Sequence, residues 1–80
     1  MFHLVTREDC LTNPEDLWAS NLLEANRDKY ELDTGGLSKR YEAAEKMTEE
    51  LFAGTPYLAV VNTFCVGCTV TYLYKKDDNE

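Results

Sequence analysis

Tyr57-Leu58-Ala59-Val60-Val61-Asn62-Thr63-Phe64 and Cys68-Thr69-Val70-Thr71-Tyr72-Leu73-Tyr74-Lys75 decide the fold. Both stretches are rich in β-branched and aromatic residues, and only the link around Val66-Gly67 separates them. They therefore read as two strands of a β-hairpin. With a two-residue loop, Cys65 stands opposite Cys68 and Val61 opposite Tyr72. Thr63, Val70 and Tyr74 then share that face, and Tyr57, Tyr72 and Tyr74 line one side of the hairpin.

Upstream of the hairpin the apolar period changes from two to about 3.6. Leu37, Tyr41, Ala44, Met47 and Leu51 recur at steps of four and three, with Glu42, Glu45, Lys46 and Glu49 on the opposite side. Ser38 reads as the N-cap of this helix. Gly54 reads as its C-terminal stop, and Pro56 prevents continuation. Asp33-Thr34-Gly35-Gly36 separates it from an earlier helix, because paired glycines disfavour helix and permit positive φ.

That earlier helix starts at Asn13-Pro14-Glu15-Asp16. Asn13 caps, Pro14 suits the first position, and the two carboxylates face the positive end of the helix dipole. Trp18, Leu22 and Ala25 recur at helical spacing, with Ala19 and Leu23 beside them, and the helix is expected to run to Asp28 or Tyr30. Residues 2–6 read as a first strand, and Thr6 with Asp9 as the cap of one brief helical turn that aims Cys10 and Leu11 inward. Residues 77–80 form an acidic tail expected to fray.

The expected architecture is an α+β fold of order β-α-α-β-β: a small three-stranded sheet with two helices packed on one face. Such an arrangement buries both apolar stripes. The strand order stays open. The 80 residues are expected to make a single domain, 1–80, with a thin core.

Fifteen acidic residues against eight basic ones give a net charge of −7. Such a surface repels phosphate, so direct nucleic-acid or anionic-membrane binding is not expected. No apolar run reaches the ~20 residues of a membrane helix, and the first residues do not pattern as a signal peptide. Three cysteines, an odd number, fit a reducing cytoplasm better than a disulfide scaffold.

Cys65-Val66-Gly67-Cys68 supplies half of a zinc site, and His3 and Cys10 complete a Cys3His set at best. The lack of a second Cys-x-x-Cys weakens that alternative. Free thiols flanking a turn are the expected state, so no metal and no cofactor is expected. Asp33-Thr34-Gly35 shares letters with the aspartic-protease motif, but that chemistry needs two aspartates sharing a proton. No nucleophile–base neighbourhood is recognisable, so an enzyme is not expected.

The sequence thus favours a small acidic binding protein. Glu15, Asp16, Glu42, Glu45, Glu49 and Glu50 form the candidate contact with a basic protein, in the manner of an inhibitor of a DNA- or RNA-binding target. Phage-encoded blockers of restriction or CRISPR complexes are one example, by analogy of size and charge, of proteins with this job. The alternative is a protein-interaction or dimerisation module using Tyr72 and Tyr74 on the hairpin, as monomer or homodimer. Tyrosine buries area at interfaces while keeping a polar hydroxyl.

Overall fold

A computed structural model describes residues 1–32, 36–62 and 70–77. The elements are β1 (Phe2–Leu4), α1 (Arg7–Thr12), α2 (Pro14–Ala25), α3 (Leu37–Leu51), β2 (Tyr57–Asn62) and β3 (Val70–Lys76). The three strands form one antiparallel sheet of order β1-β3-β2, which resolves the open strand order by placing β3 in the middle. The expected α+β fold, with helices against a three-stranded sheet, is the one observed.

The first two helices start where a side chain satisfies one of the free N–H groups. At α1, the Thr6 hydroxyl accepts from the Asp9 N–H at 3.2 Å and the Asp9 carboxylate accepts from the Thr6 N–H at 2.9 Å, a reciprocal capping box. At α2, the Asn13 carbonyl oxygen accepts from the Glu15 N–H at 3.0 Å, with Pro14 in the first turn. At α3 the cap is Gly36, not Ser38. Gly36 is extended and its carbonyl already accepts from the Arg40 N–H, so the helix begins at Leu37 and Ser38 lies inside its first turn.

Several other expectations are corrected. Helix α2 stops at Ala25 instead of Asp28 or Tyr30. Asn26 turns out of the helix, and its side-chain amide donates to the Leu22 carbonyl at 2.8 Å. The turns that follow, with Glu31 at φ 55°, insert Tyr30 and Leu32 into the core. Leu11 is 76% exposed rather than inward, because α1 is a single short helix set against α2. The buried stripe of α2 is Asp16, Ala19 and Leu23; Trp18 is half-exposed, its ring nearly perpendicular to that of Phe52 with centroids 6.3 Å apart. On α3, Ala44 and Met47 are buried while Leu37 and Tyr41 stay half-exposed. Asp77, expected to fray, is tied to the first strand: its N–H donates to the Met1 carbonyl at 3.0 Å, and its carboxylate meets His3.

The strand register also differs from the expected one. Val61 stands opposite Thr71 and Val60 opposite Tyr72. A one-residue slip turns every side chain to the other face. Tyr57 therefore enters the core with Ala59, Val61 and Leu73, while Tyr72 and Tyr74 lie on the outer face. The expected loop, with Cys65 opposite Cys68 and Val66-Gly67 between, lies outside the described residues. So do Thr63 and Asp33-Thr34-Gly35. The core that selects the observed register joins the inner sheet face to Ala19, Leu23, Tyr30, Leu32, Ala44, Met47 and Phe52. Gly54, at φ 80°, makes the left-handed turn that brings the chain back from α3 to β2.

Among the described residues, no helix is long and apolar enough to cross a membrane.

Candidate functional site

The outer side of α3 carries carboxylates one turn apart because charged residues fill the positions that do not face the sheet. Glu42, Glu45 and Glu49 are exposed there. Together with Glu31, Lys39, Ala43 and Lys46 they line an open groove of about 420 Å³. The four carboxylates outnumber the two ammonium groups, so the groove is anionic but not uniformly so. Sequence periodicity located Glu42, Glu45, Lys46 and Glu49 but not Lys39 and Ala43; Glu31 arrives from the turns after α2, which no periodic pattern announces.

The remaining expected contact carboxylates lie apart from this groove. Glu50 is exposed and accepts the Tyr30 hydroxyl at 2.6 Å, and that bond, with desolvation and the carboxylate's charge, raises the phenol's pKa. Glu15 is exposed and sits 3.7 Å from Lys75 Nζ. Asp16, counted among the surface carboxylates, is instead 5% exposed. Its place on the stripe with Ala19 and Leu23 turns it toward the sheet.

There Asp16 forms a compact polar cluster that sequence reading missed. Its Oδ1 accepts the hydroxyl of Tyr57 and lies 3.2 Å from Lys75 Nζ. The Lys75 ammonium also sits 5.4 Å from the centre of the Tyr57 ring, close enough for a cation–π contact. Cys10 Sγ donates to the Asp16 backbone carbonyl at 3.7 Å. Burial, followed by the hydrogen bond to Asp16, pushes the Tyr57 phenol far above its ordinary value of 10.0. The cluster thus joins the first turn of α2 to β2 and β3. A signal was present in the sequence: Asp16, Ala19 and Leu23 are spaced i, i+3, i+7.

The outer sheet face is a second candidate surface. The register sets Leu4, Tyr74 and Leu58 side by side, with Val60 beside Tyr72 and Asn62 beside Val70. Tyr72 and Tyr74 touch edge to face with centroids 6.5 Å apart. Every outward residue of β2, and Val70, Tyr72 and Tyr74 on β3, is partly buried; Phe2 and Leu4 are 44% and 40% exposed.

Of the zinc alternative, Cys65 and Cys68 lie outside the described residues. His3 Nδ1 meets Asp77 Oδ1 at 2.8 Å, and Cys10 is half-buried against α2. Among the described residues no group of three His, Cys, Asp or Glu side chains is placed to hold a metal ion. No protein-family model, curated protein or solved structure matches the chain.

Proposed function

We propose that this chain is a small acidic binding protein that acts by occupying a basic surface of another protein rather than by catalysis. The observation that carries this reading is the groove on α3, where Glu31, Glu42, Glu45 and Glu49 converge on open solvent. A carboxylate set on one rigid helix offers a fixed anionic pattern, and complementary fields accelerate encounter and select partners. Helical carboxylates repeat about every 5.4 Å per turn and phosphates of one DNA strand about every 3.4 Å, so the resemblance to a nucleic-acid backbone is one of field rather than of registry. A nucleic-acid-binding protein is the target class with the matching charge, and blocking its phosphate-binding surface is the activity that follows. A phage-encoded inhibitor of host DNA-targeting defence, working in the host cytoplasm, would fit this role.

A non-catalytic role is supported by the commitment of the polar cluster. Tyr57 is held protonated, Asp16 is engaged by two donors, and Lys75 lies between Asp16 and Glu15. None of the three is left to act as a nucleophile or base at neutral pH.

The test is capture of partners from the native cell or its host at two salt concentrations. The expected partner is a basic protein whose binding weakens when salt rises from about 0.05 to about 0.3 M. The charge reversals Glu42→Lys, Glu45→Lys and Glu49→Lys should abolish that binding without lowering the melting temperature. A partner held equally well by the triple variant would overturn this reading. The second reading, a protein-interaction module that uses Tyr72 and Tyr74, is favoured by the largely apolar outer sheet face, where both tyrosines are only partly buried. On that reading Tyr72→Ser with Tyr74→Ser abolishes capture and the charge reversals do not.

A further inference from the structure

We infer that β3 has two registers in this fold, the observed one and one slipped by a single residue, so that the sheet is a switch that presents or withdraws Tyr72 and Tyr74. This inference does not rest on the acidic groove, whose carboxylates lie on α3 and in the turns after α2.

The strand buries its less apolar side. Thr71, Leu73 and Lys75 face inward, and Val70, Tyr72 and Tyr74 face outward. An antiparallel sheet with one face in water normally does the reverse. The inner set is also unsatisfied in one place, since the Thr71 hydroxyl is buried without a hydrogen-bond partner among the described residues. A strand that is apolar at consecutive positions specifies its register weakly, and a one-residue slip turns every side chain over.

The ionic contacts of β3 repeat with the same one-residue offset. Lys75 Nζ lies 3.2 Å from Asp16 Oδ1, and Asp77 Oδ1 lies 2.8 Å from His3 Nδ1. The chain reads Lys75-Lys76-Asp77-Asp78. If β3 slips so that Tyr72 stands opposite Val61, Lys76 takes the place of Lys75 beside Asp16, and Asp78 takes the place of Asp77 beside His3. Tyr72 and Tyr74 then turn inward, while Thr71 and Lys75 turn to water. Strands β1 and β2 stay where they are, so the Tyr57 hydroxyl keeps its acceptor, Asp16. A slip in the opposite direction, with Val70 opposite Val61, leaves Asp16 without a lysine and sets Lys76 beside His3. The paired lysines and paired aspartates thus permit one second register and disfavour the other.

Volume sets the balance between the two. The slipped register puts two tyrosine rings where Thr71 and Leu73 now stand, in a core already closed around Met47 and Phe52. Such overpacking is unfavourable. The observed register is therefore the major state, and the slipped one a minor state on the order of 1–10%. Lengthening the link between β2 and β3 by one residue is a small cost by comparison. A partner that grips Tyr72 and Tyr74 binds the observed register alone, and shifts the population by its differential affinity.

The test is saturation-transfer NMR on the backbone amides of residues 70–77 of the purified chain, which detects a minor state above about 1% that exchanges in milliseconds. A second state confined to β3 and its neighbours on β1 and β2 is expected. Lys75→Ala deprives only the observed register of its lysine. It should raise the second state at least about tenfold, with cross-strand contacts from Val61 to Tyr72 in place of Val61 to Thr71. Lys76→Ala removes a side chain that is exposed in the observed register. It should lower the second state at least about tenfold while leaving the melting temperature unchanged. No second state above about 1%, a second state equally populated in Lys76→Ala, or a folded Lys75→Ala chain that keeps only the Val61–Thr71 contacts would each overturn the inference. Should Lys75→Ala fail to fold, the unmodified chain and Lys76→Ala decide the question between them.

Discussion

The two faces of the sheet are built from nearly the same residue types yet have different standing. Inward, Tyr57, Ala59, Val61 and Leu73 are at most 5% exposed and meet Met47 and Phe52. Outward, Leu58, Val60, Tyr72 and Tyr74 cover one another only in part. Composition alone does not distinguish the faces; what the helices bring against each does. A tyrosine marks the contrast on either side. Tyr57 is committed to Asp16 inside, whereas the outer pair, Tyr72 and Tyr74, contact each other.

The sharpest way to break this comparison is to truncate one residue on each side. Phe52→Ala removes a side chain that is 1% exposed and should cost about 4 kcal/mol in chemical unfolding, enough to leave so small a domain largely unfolded. Val61→Ala should cost about 2 kcal/mol, and its neighbour Val60→Ala less than about 1 kcal/mol when measured on dilute protein. Equal costs for the two valines would mean that the outer face is as covered as the inner one.

The next test concerns the neighbours Glu15 and Asp16. Asp16→Ala leaves the Tyr57 hydroxyl and the Lys75 ammonium without their shared acceptor at a buried site, and should cost about 3 kcal/mol. Glu15→Ala removes only an exposed carboxylate 3.7 Å from Lys75 and should cost less than about 0.5 kcal/mol. The same cluster has a pH signature. The folded-state pKa of Tyr57 is raised, so its contribution to stability is complete below the ordinary value of 10.0 and is lost as pH rises beyond it toward the folded value. Alkaline unfolding followed by tyrosine absorbance should release this phenol only with the cooperative transition, and Tyr57→Phe should remove that delayed component.

The contrast between the faces also explains which parts of the molecule the sequence disclosed. Strongly periodic segments and caps were legible: the carboxylates of α3, the Thr6–Asp9 capping box, Asn13-Pro14 and the turn at Gly54. Each of those signals is local. Register was not legible, because β2 and β3 are apolar at consecutive positions, and a pattern without alternation cannot say which set faces inward. That single ambiguity misplaced Tyr57 on the same face as Tyr72 and Tyr74. Asp16 was misjudged for a related reason: a carboxylate in a first helical turn fits both the dipole and a buried partner, and Lys75 lies far along the chain. Tyr30 and Leu32 reach the core from irregular turns, where no period exists to reveal them.

The smallest expected effect probes a polar atom on the inner face. The Thr71 hydroxyl is buried and has no hydrogen-bond partner among the described residues. Thr71 stands opposite Val61, whose side chain offers no acceptor. A hydroxyl taken out of water without a partner costs desolvation that no interaction offsets, and valine has nearly the same shape. Thr71→Val should therefore raise stability by about 1 kcal/mol, seen as a higher denaturant midpoint at unchanged slope. The mirror change on the outer face, Val70→Thr, puts a hydroxyl where water still reaches and should change stability by less than about 0.5 kcal/mol. If Thr71→Val destabilises instead, its hydroxyl has a partner in the folded chain. The inner face would then be less purely apolar than the outer one, and the distinction between the two faces would lie in packing alone.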